Sequence, residues 1–210
     1  VILRCAYVKR DKDGDLIAAR GDPPDAWIAC ARGAVRVSST SISGKQITLT
    51  YVEPGIWFGD VAIFDGDRRT HDAYAHGDST ILCVAKADFK KILATHVELY
   101  EAMLRLHARR IRQLFGLVED LNTLPLRARL AKQLVHLVRS YGVPSLADAR
   151  EMRISLHLAQ EELAQLLGAS RQRVNQELKA MEREESIRIE PGGLVIRNRD
   201  ALMRISEADN

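Results

Sequence analysis

Leu158-Ala159-Gln160-Glu161-Glu162-Leu163-Ala164-Gln165-Leu166-Leu167-Gly168-Ala169-Ser170-Arg171-Gln172-Arg173-Val174-Asn175-Gln176-Glu177-Leu178-Lys179 reads as two short helices joined by a tight turn at Gly168. Ala164 is small where two helices would cross closely, and glycine can take the turn conformation that a side chain resists. Leu163, Leu167, Val174 and Leu178 supply a shared apolar core. Ser170 stands where an N-cap is needed, with a side-chain oxygen for an early backbone N–H. On a helical wheel Val174, Leu178 and Met181 share one face, while Gln172, Gln176 and Lys179 lie opposite and Arg171 sits at the exposed end.

That outward set suits a DNA major groove. Arginine can pair with guanine O6 and N7, and glutamine with adenine N6 and N7, whereas lysine is better placed on a phosphate. The expected DNA-contacting residues are Ser170, Arg171, Gln172, Arg173, Asn175, Gln176 and Lys179. Downstream, Ser186-Ile187-Arg188-Ile189-Glu190 and Leu194-Val195-Ile196-Arg197 flank Pro191-Gly192-Gly193, a strand–turn–strand wing. Turn, cap and wing in this order predict a winged helix-turn-helix and not a helical hairpin with a solvated face.

Upstream, Leu126 to Tyr141 reads as an amphipathic helix ending at Gly142, followed by a polar connection from Val143 to Glu151. Thr123-Leu124-Pro125 interrupts the pattern and marks a hinge. Before it, Asp88 to Asn122 contains no Pro and only one Gly, Gly116. Tyr100, Leu104, His107, Ile111, Leu114, Val118 and Leu121 are spaced alternately four and three apart, an a/d seam. Met103, Leu106, Leu117 and Leu124 lie off that seam and are expected to face the preceding domain. Two stripes need two partners, and the seam is assigned to the same helix of a second chain. His107 is expected within it as a hydrogen-bonded packing residue.

Up to about Lys86 the period is two. Ala26–Cys30, Ala34–Ser38, Gln46–Val52 and Ile81–Ala85 read as short strands, with turns at Gly33, at Ser43-Gly44-Lys45 and at Glu53-Pro54-Gly55. The predicted organisation is a strand domain over 1–95, a dimerisation helix over 96–123 and a winged helix-turn-helix domain over 124–210.

Composition narrows the alternatives. Of the 210 residues 46% are apolar and 28% charged, as in ordinary globular proteins. No run reaches the length of a membrane span. The chain opens on Val1-Ile2-Leu3-Arg4-Cys5 without Met, which implies residues upstream, and without a secretory pattern. Cys5, Cys30 and Cys83 are too scattered for a zinc site or disulfide framework, so a cytoplasmic home and buried, unreactive thiols are expected. Net charge is +3, but residues 101–150 hold 9 basic and 4 acidic side chains while residues 151–210 hold 9 and 11, so charge alone does not nominate the C-terminal domain for DNA. No metal triad, nucleophile–base spacing or glycine-rich nucleotide loop points to an enzyme. His96, His107, His136 and His157 lie on helices without a matching acidic cluster.

Taken whole, the chain resembles the Crp/Fnr superfamily of transcription regulators. The resemblance rests on the strand domain, the long helix, Gly168-Ala169-Ser170-Arg171-Gln172-Arg173-Val174, and Trp57-Phe58-Gly59-Asp60-Val61-Ala62-Ile63-Phe64, which is similar to the family's Phe-Gly-Glu-Leu-Ala-Leu signature. It implies an α+β protein: an N-terminal β-roll of the cyclic-nucleotide-binding, jelly-roll type, a long dimerisation helix and the C-terminal winged domain. It also implies a homodimer on a palindromic operator, with RNA polymerase as a further partner.

In ligand-binding members the signature opens a phosphate cassette. The resemblance therefore assigns an effector site to Gly59, Asp60, Arg68, Arg69 and Thr70, with Asp60 toward a ribose hydroxyl and Arg69 toward a phosphate. Asp60 is a methylene shorter than the family's Glu, and His71 and Asp72 replace small residues. Leu114-Phe115 stand where a base-reading Thr-Ser pair is found. These departures speak against cyclic AMP. Another anionic ligand, such as cyclic di-GMP, and a degenerate structural cassette remain the alternatives. The N-terminal cysteine cluster of iron–sulfur members is missing, so no such cluster is expected. For a heme axial ligand only His71, His76 and His107 are available.

Overall fold

The computed structural model describes residues 1–41, 44 and 46–207. It falls into two compact units, Val1–Arg112 and Gln113–Asn210, with the boundary inside the longest helix.

In the first unit, α1 (Ile2–Cys5) leads into β1 (Ala6–Asp11), β2 (Leu16–Ala18), the long β3 (Ala26–Thr40), β4 (Gln46–Val52) and β5 (Trp57–Phe58). A short α2 (Val61–Asp65), the long β6 (Asp72–Ala85), α3 (Lys86–Thr95) and α4 (Glu98–Thr123) follow. The sheet is antiparallel, ordered β1-β6-β3-β4, with β2 on β6 and β5 on β3. The Ser43-Gly44-Lys45 turn, apart from Gly44, lies outside the described residues. Strand β6 begins nine residues before the apolar run Ile81–Ala85, because its first half pairs with β3 through polar and small residues.

Strand alternation divides the core in two. Ala26, Ile28 and Cys30 of β3 join Val35, Val52, Ile81 and Cys83 inside the sheet. Trp27 points to the other face, where it meets Val84, Ile63, Phe89, Ile92, Leu93 and Met103. Trp27 stacks on Trp57 at 4.1 Å between centroids and tilts against Phe89 at 4.5 Å. Met103 and the partly buried Leu106 thus turn α4 toward the strand domain, as their off-seam positions predict, whereas Leu117 is exposed. Burial pushes the Cys30 thiol up to about 11, which keeps it protonated at neutral pH. Cys30 and Cys83 are buried as expected, but Cys5 is exposed.

In the second unit the end of α4 is followed by α5 (Leu126–Tyr141), β7 (Gly142–Pro144), β8 (Met152–Ile154), α6 (Gln160–Leu166), α7 (Arg171–Arg183), β9 (Ile187–Glu190), β10 (Gly193–Ile196) and α8 (Arg199–Glu207). The sheet order is β7-β8-β10-β9. The polar stretch 143–151 therefore begins inside β7 and runs up to β8, two strands too short to show a period that extend the wing hairpin. Pro191-Gly192 closes that hairpin with Gly192 at φ +73, the left-handed residue that a type II turn requires. Helix α8, not anticipated from sequence, packs on α5 and buries Leu202 completely.

Phe89 is fully buried between Trp27 and Phe64. Phe89→Ala is expected to cost about 3–5 kcal/mol, read as a lowered urea midpoint of the strand domain in tryptophan fluorescence. Unchanged unfolding would show that the aromatic cluster contributes little.

Candidate nucleic-acid interface and effector cassette

In the second unit, α6 and α7 meet across Leu167-Gly168-Ala169. Gly168 adopts φ +60, and the Ala169 N–H donates to the Ala164 carbonyl at 3.0 Å, closing the turn. No atom would obstruct a Cβ at Gly168, so the glycine is needed for its backbone angle and not for space. The N–H of Arg173 donates to Ser170 Oγ at 3.3 Å, which caps α7. At the start of α6 the Glu162 carboxylate reaches back to accept the Ala159 N–H at 3.0 Å. Leu163, Leu167, Val174, Leu178 and Met181 are buried together.

The opposite face of α7 presents Arg171, Gln172, Arg173, Gln176 and Lys179, all exposed. Asn175 is half-buried and its side-chain carbonyl lies 3.4 Å from Gln160 Nε2, so it is partly withdrawn from the reading face. Sequence reading passed over Gln160, whose place at the first position of α6 is the only signal for that contact. At the wing, His157 Nδ1 lies 2.9 Å from the Gly192 carbonyl and holds the turn against the segment entering α6.

In the first unit, Gly59 and Asp60 stand between β5 and α2. Gly59 has φ +78, and a Cβ there would lie 2.8 Å from Arg69 Nη1. The glycine therefore admits Arg69, which is itself buried. Arg69 Nη2 donates to Asp25 Oδ1 at 2.7 Å and to the Ala26 carbonyl at 3.1 Å. Desolvation works against ionisation of Asp25, but the Arg69 hydrogen bond, backbone N–H groups and the Arg69 charge together hold its pKa below the usual value. Arg68, by contrast, is exposed and donates to the Gly21 carbonyl at 2.7 Å. The two adjacent arginines are thus unlike: one lines the cassette and the other braces a turn. Thr70 Oγ1 is 2.8 Å from His71 Nδ1, and Asp72 accepts the Arg20 N–H at 2.8 Å.

Asp60 is completely buried. Its Oδ2 is 2.5 Å from His107 Nε2 and accepts from Arg110 Nη1 at 2.7 Å. Arg110 also donates to the Trp57 carbonyl. Asp60 Oδ1 is buried without a partner among the described residues. Of the expected seam residues, Tyr100, Leu104, Ile111, Leu114, Val118 and Leu121 are each at least 45% exposed on the single chain. His107 departs from them: it faces Asp60 and packs edge-on against Phe64 at 5.5 Å. Arg110 and Asp25 were not singled out from sequence. Arg110 follows Met103 and Leu106 on the inward side of α4, and a cation there calls for a buried anion.

Among the described residues no cluster of His, Cys, Asp and Glu is arranged to hold a metal ion, and no helix is long and apolar enough to cross a membrane.

Residues 8–96 match the cyclic nucleotide-binding domain family and residues 128–205 the Crp-like helix-turn-helix domain family. The chain is 30% identical over 191 residues to a CRP-like cAMP-activated global transcriptional regulator of Mycobacterium tuberculosis, covering 91% of this chain and 84% of that protein. It is 27% identical to the global nitrogen regulator of Synechococcus elongatus, over 93% of this chain and 87% of that protein. The fold is shared with FixK2 from Bradyrhizobium japonicum at TM-score 0.85 and 18% identity, covering 98% and 99% of the two chains. With a nucleotide-type β-roll, a long helix and a winged helix-turn-helix in one chain, and this likeness over nearly its whole length, the protein belongs to the Crp/Fnr superfamily of DNA-binding transcription regulators.

Proposed function

We propose that the protein acts in the cytoplasm as a homodimer on a palindromic operator, with RNA polymerase as its further partner, and that an anionic ligand in the Gly59–Thr70 cassette controls it. The observation that carries this reading is the apolar stripe of α4. Six large apolar side chains along one helix face, Tyr100 to Leu121, are left in water by the single chain. A matching helix would bury them, each side chain contributing on the order of 1.5–3 kcal/mol when fully covered. Two-fold pairing then presents two recognition helices to half-sites about 34 Å apart, one turn of DNA.

Ligand control is supported by the cassette. Asp60 Oδ1 is an orphaned acceptor in a buried position, suited to a ligand hydroxyl, and the Arg69 guanidinium beside Gly59 is suited to a phosphate. A ligand that bound two arrangements of the helix unequally would shift the population between them. Cyclic AMP is not the ligand we propose, because Leu114 and Phe115 offer a base no hydrogen-bonding group. Family membership does not fix the ligand, since a cAMP-activated regulator and a nitrogen regulator resemble this chain at similar identity. A second reading, a cassette that has become structural, is favoured by one observation: Asp60 Oδ2 is already paired with His107 and Arg110, and Arg69 with Asp25 and the Ala26 carbonyl.

Replacing Ile111 and Val118 by Asp is expected to give monomers in analytical ultracentrifugation at micromolar concentration and to abolish operator binding. A double variant that stays dimeric sinks the seam. On the DNA side, Arg171→Ala is expected to cost about 1–3 kcal/mol at one base pair and relax preference there. Lys179→Ala should weaken all sequences alike. Binding-site selection with both variants separates these roles, and a uniform loss with Arg171→Ala overturns its assignment to a base. Calorimetry with cyclic AMP and cyclic di-GMP, alongside operator affinity, tests the cassette. Tight cyclic AMP binding that strengthens DNA binding defeats the ligand proposal, and no response to either nucleotide favours the structural cassette.

A further inference from the structure

Arg127 lies in the first turn of α5, where the helix macrodipole disfavours a cation. The first turn of α5 holds no acidic residue to offset it. Its guanidinium is instead taken by two carboxylates of the recognition region: it donates to Glu184, just past the end of α7, and lies 3.7 Å from Glu177 Oε2 within α7. Glu177 is one turn after Arg173, and side chains at that spacing on a helix meet. Arg173 nevertheless makes no ion pair among the described residues and is exposed on the outward face.

We infer that Arg127 is a positioning residue for DNA binding, which draws the Glu177 carboxylate toward α5 and so leaves the Arg173 guanidinium available to a DNA phosphate. The inference rests on the reading of α7 as the element that docks on DNA. Without Arg127, Glu177 has a cation within reach on its own helix, and pairing with it removes one phosphate contact. Loss of Arg127 also leaves Glu184 without the cation that it holds here. Arg127 thus acts through Glu177 and Arg173 and does not itself touch DNA.

The test is a mutant cycle on the full-length protein. Affinity is measured against salt with a fluorescein-labelled operator selected by the wild-type protein from a random-sequence pool. R127A is expected to lose about three- to tenfold in affinity and to lower the magnitude of the log–log salt slope by about 0.9, one phosphate contact. Adding E177Q should restore both quantities, while E177Q alone and E184Q in the R127A background should change affinity less than about twofold. In an R173A background, R127A should have almost no further effect. A purely structural role for Arg127 would lower the melting temperature without this pattern. R127Q, which keeps the aliphatic stem, serves as the second variant if R127A does not fold. An undiminished R127A effect in the R173A background means that Arg127 meets the phosphate itself and overturns the inference, as does failure of E177Q to rescue. If the wild-type protein showed no salt-dependent duplex binding, the DNA-docking reading of α7 would fall first, and this result is distinct from the other two.

Discussion

A carboxylate taken out of water must be met by positive charge or hydrogen-bond donors, and Asp60 meets that demand with a single helix. Its buried side chain reaches across to His107 and Arg110 of α4 instead of capping α2, the helix that it precedes. The cost of stranding such a group, about 3–5 kcal/mol when one partner of a buried pair is lost, makes the rotation of α4 about its axis a fixed quantity. With His107 and Arg110 turned inward beside Met103 and Leu106, the apolar residues on the other side of the helix have nowhere to go but solvent or a second chain. One interaction therefore sets both the cassette wall and the direction of the exposed stripe.

The same interaction makes the cassette more than a loop beside a helix. Arg110 bridges from Asp60 to the Trp57 carbonyl, so the turn centred on Gly59 is tied to α4 at two points. On the other side of Gly59, Arg69 is held by Asp25 and Ala26 at the start of β3. A ligand hydroxyl at Asp60 Oδ1 would share its carboxylate with α4, and a ligand phosphate at Arg69 would compete with Asp25. Occupancy and helix position would then be linked through shared atoms, which is the physical content that a coupling between two sites requires.

Most of the architecture was legible because it is written in periods. The alternation along β3 and β4, the change to a four–three spacing after Lys86, and the Gly168–Ser170 punctuation each follow from local geometry. What escaped the sequence has specific causes. Strands β7 and β8 span three residues each, too few for a period, and exist because β10 offers an edge to pair. The break between α3 and α4 at His96 carries neither Pro nor Gly. There the Thr95 hydroxyl instead donates to the Lys91 and Ile92 carbonyls. His107 fits the heptad by spacing, but a distant acid decides where its ring points. The site residues of α7 could be placed from the wheel because they answer to one helix, whereas the cassette depends on residues 25, 60, 69, 107 and 110, whose proximity only the fold creates.

The charge balance of the C-terminal domain shows why a count of charges misjudges a DNA-binding surface. Residues 151–210 carry two more acids than bases, 11 against 9. Yet the acids are largely engaged away from the outward face of α7. Glu151 is buried between Arg188 and Arg197, at 2.7 and 3.0 Å. Glu162 accepts the N–H at the start of α6, Glu182 accepts the Ile189 N–H at 2.8 Å, and Glu190 lies beside Arg188. Glu177 and Glu184 turn to Arg127, a cation supplied from outside the segment. Arg171, Arg173 and Lys179 remain exposed on the helix that faces outward. These three cations bias the outward face of α7 toward positive potential although the domain total is slightly negative. A nearly neutral domain can in this way carry a positive reading head, because Glu151, Glu162, Glu177, Glu182, Glu184 and Glu190 are turned to partners of their own.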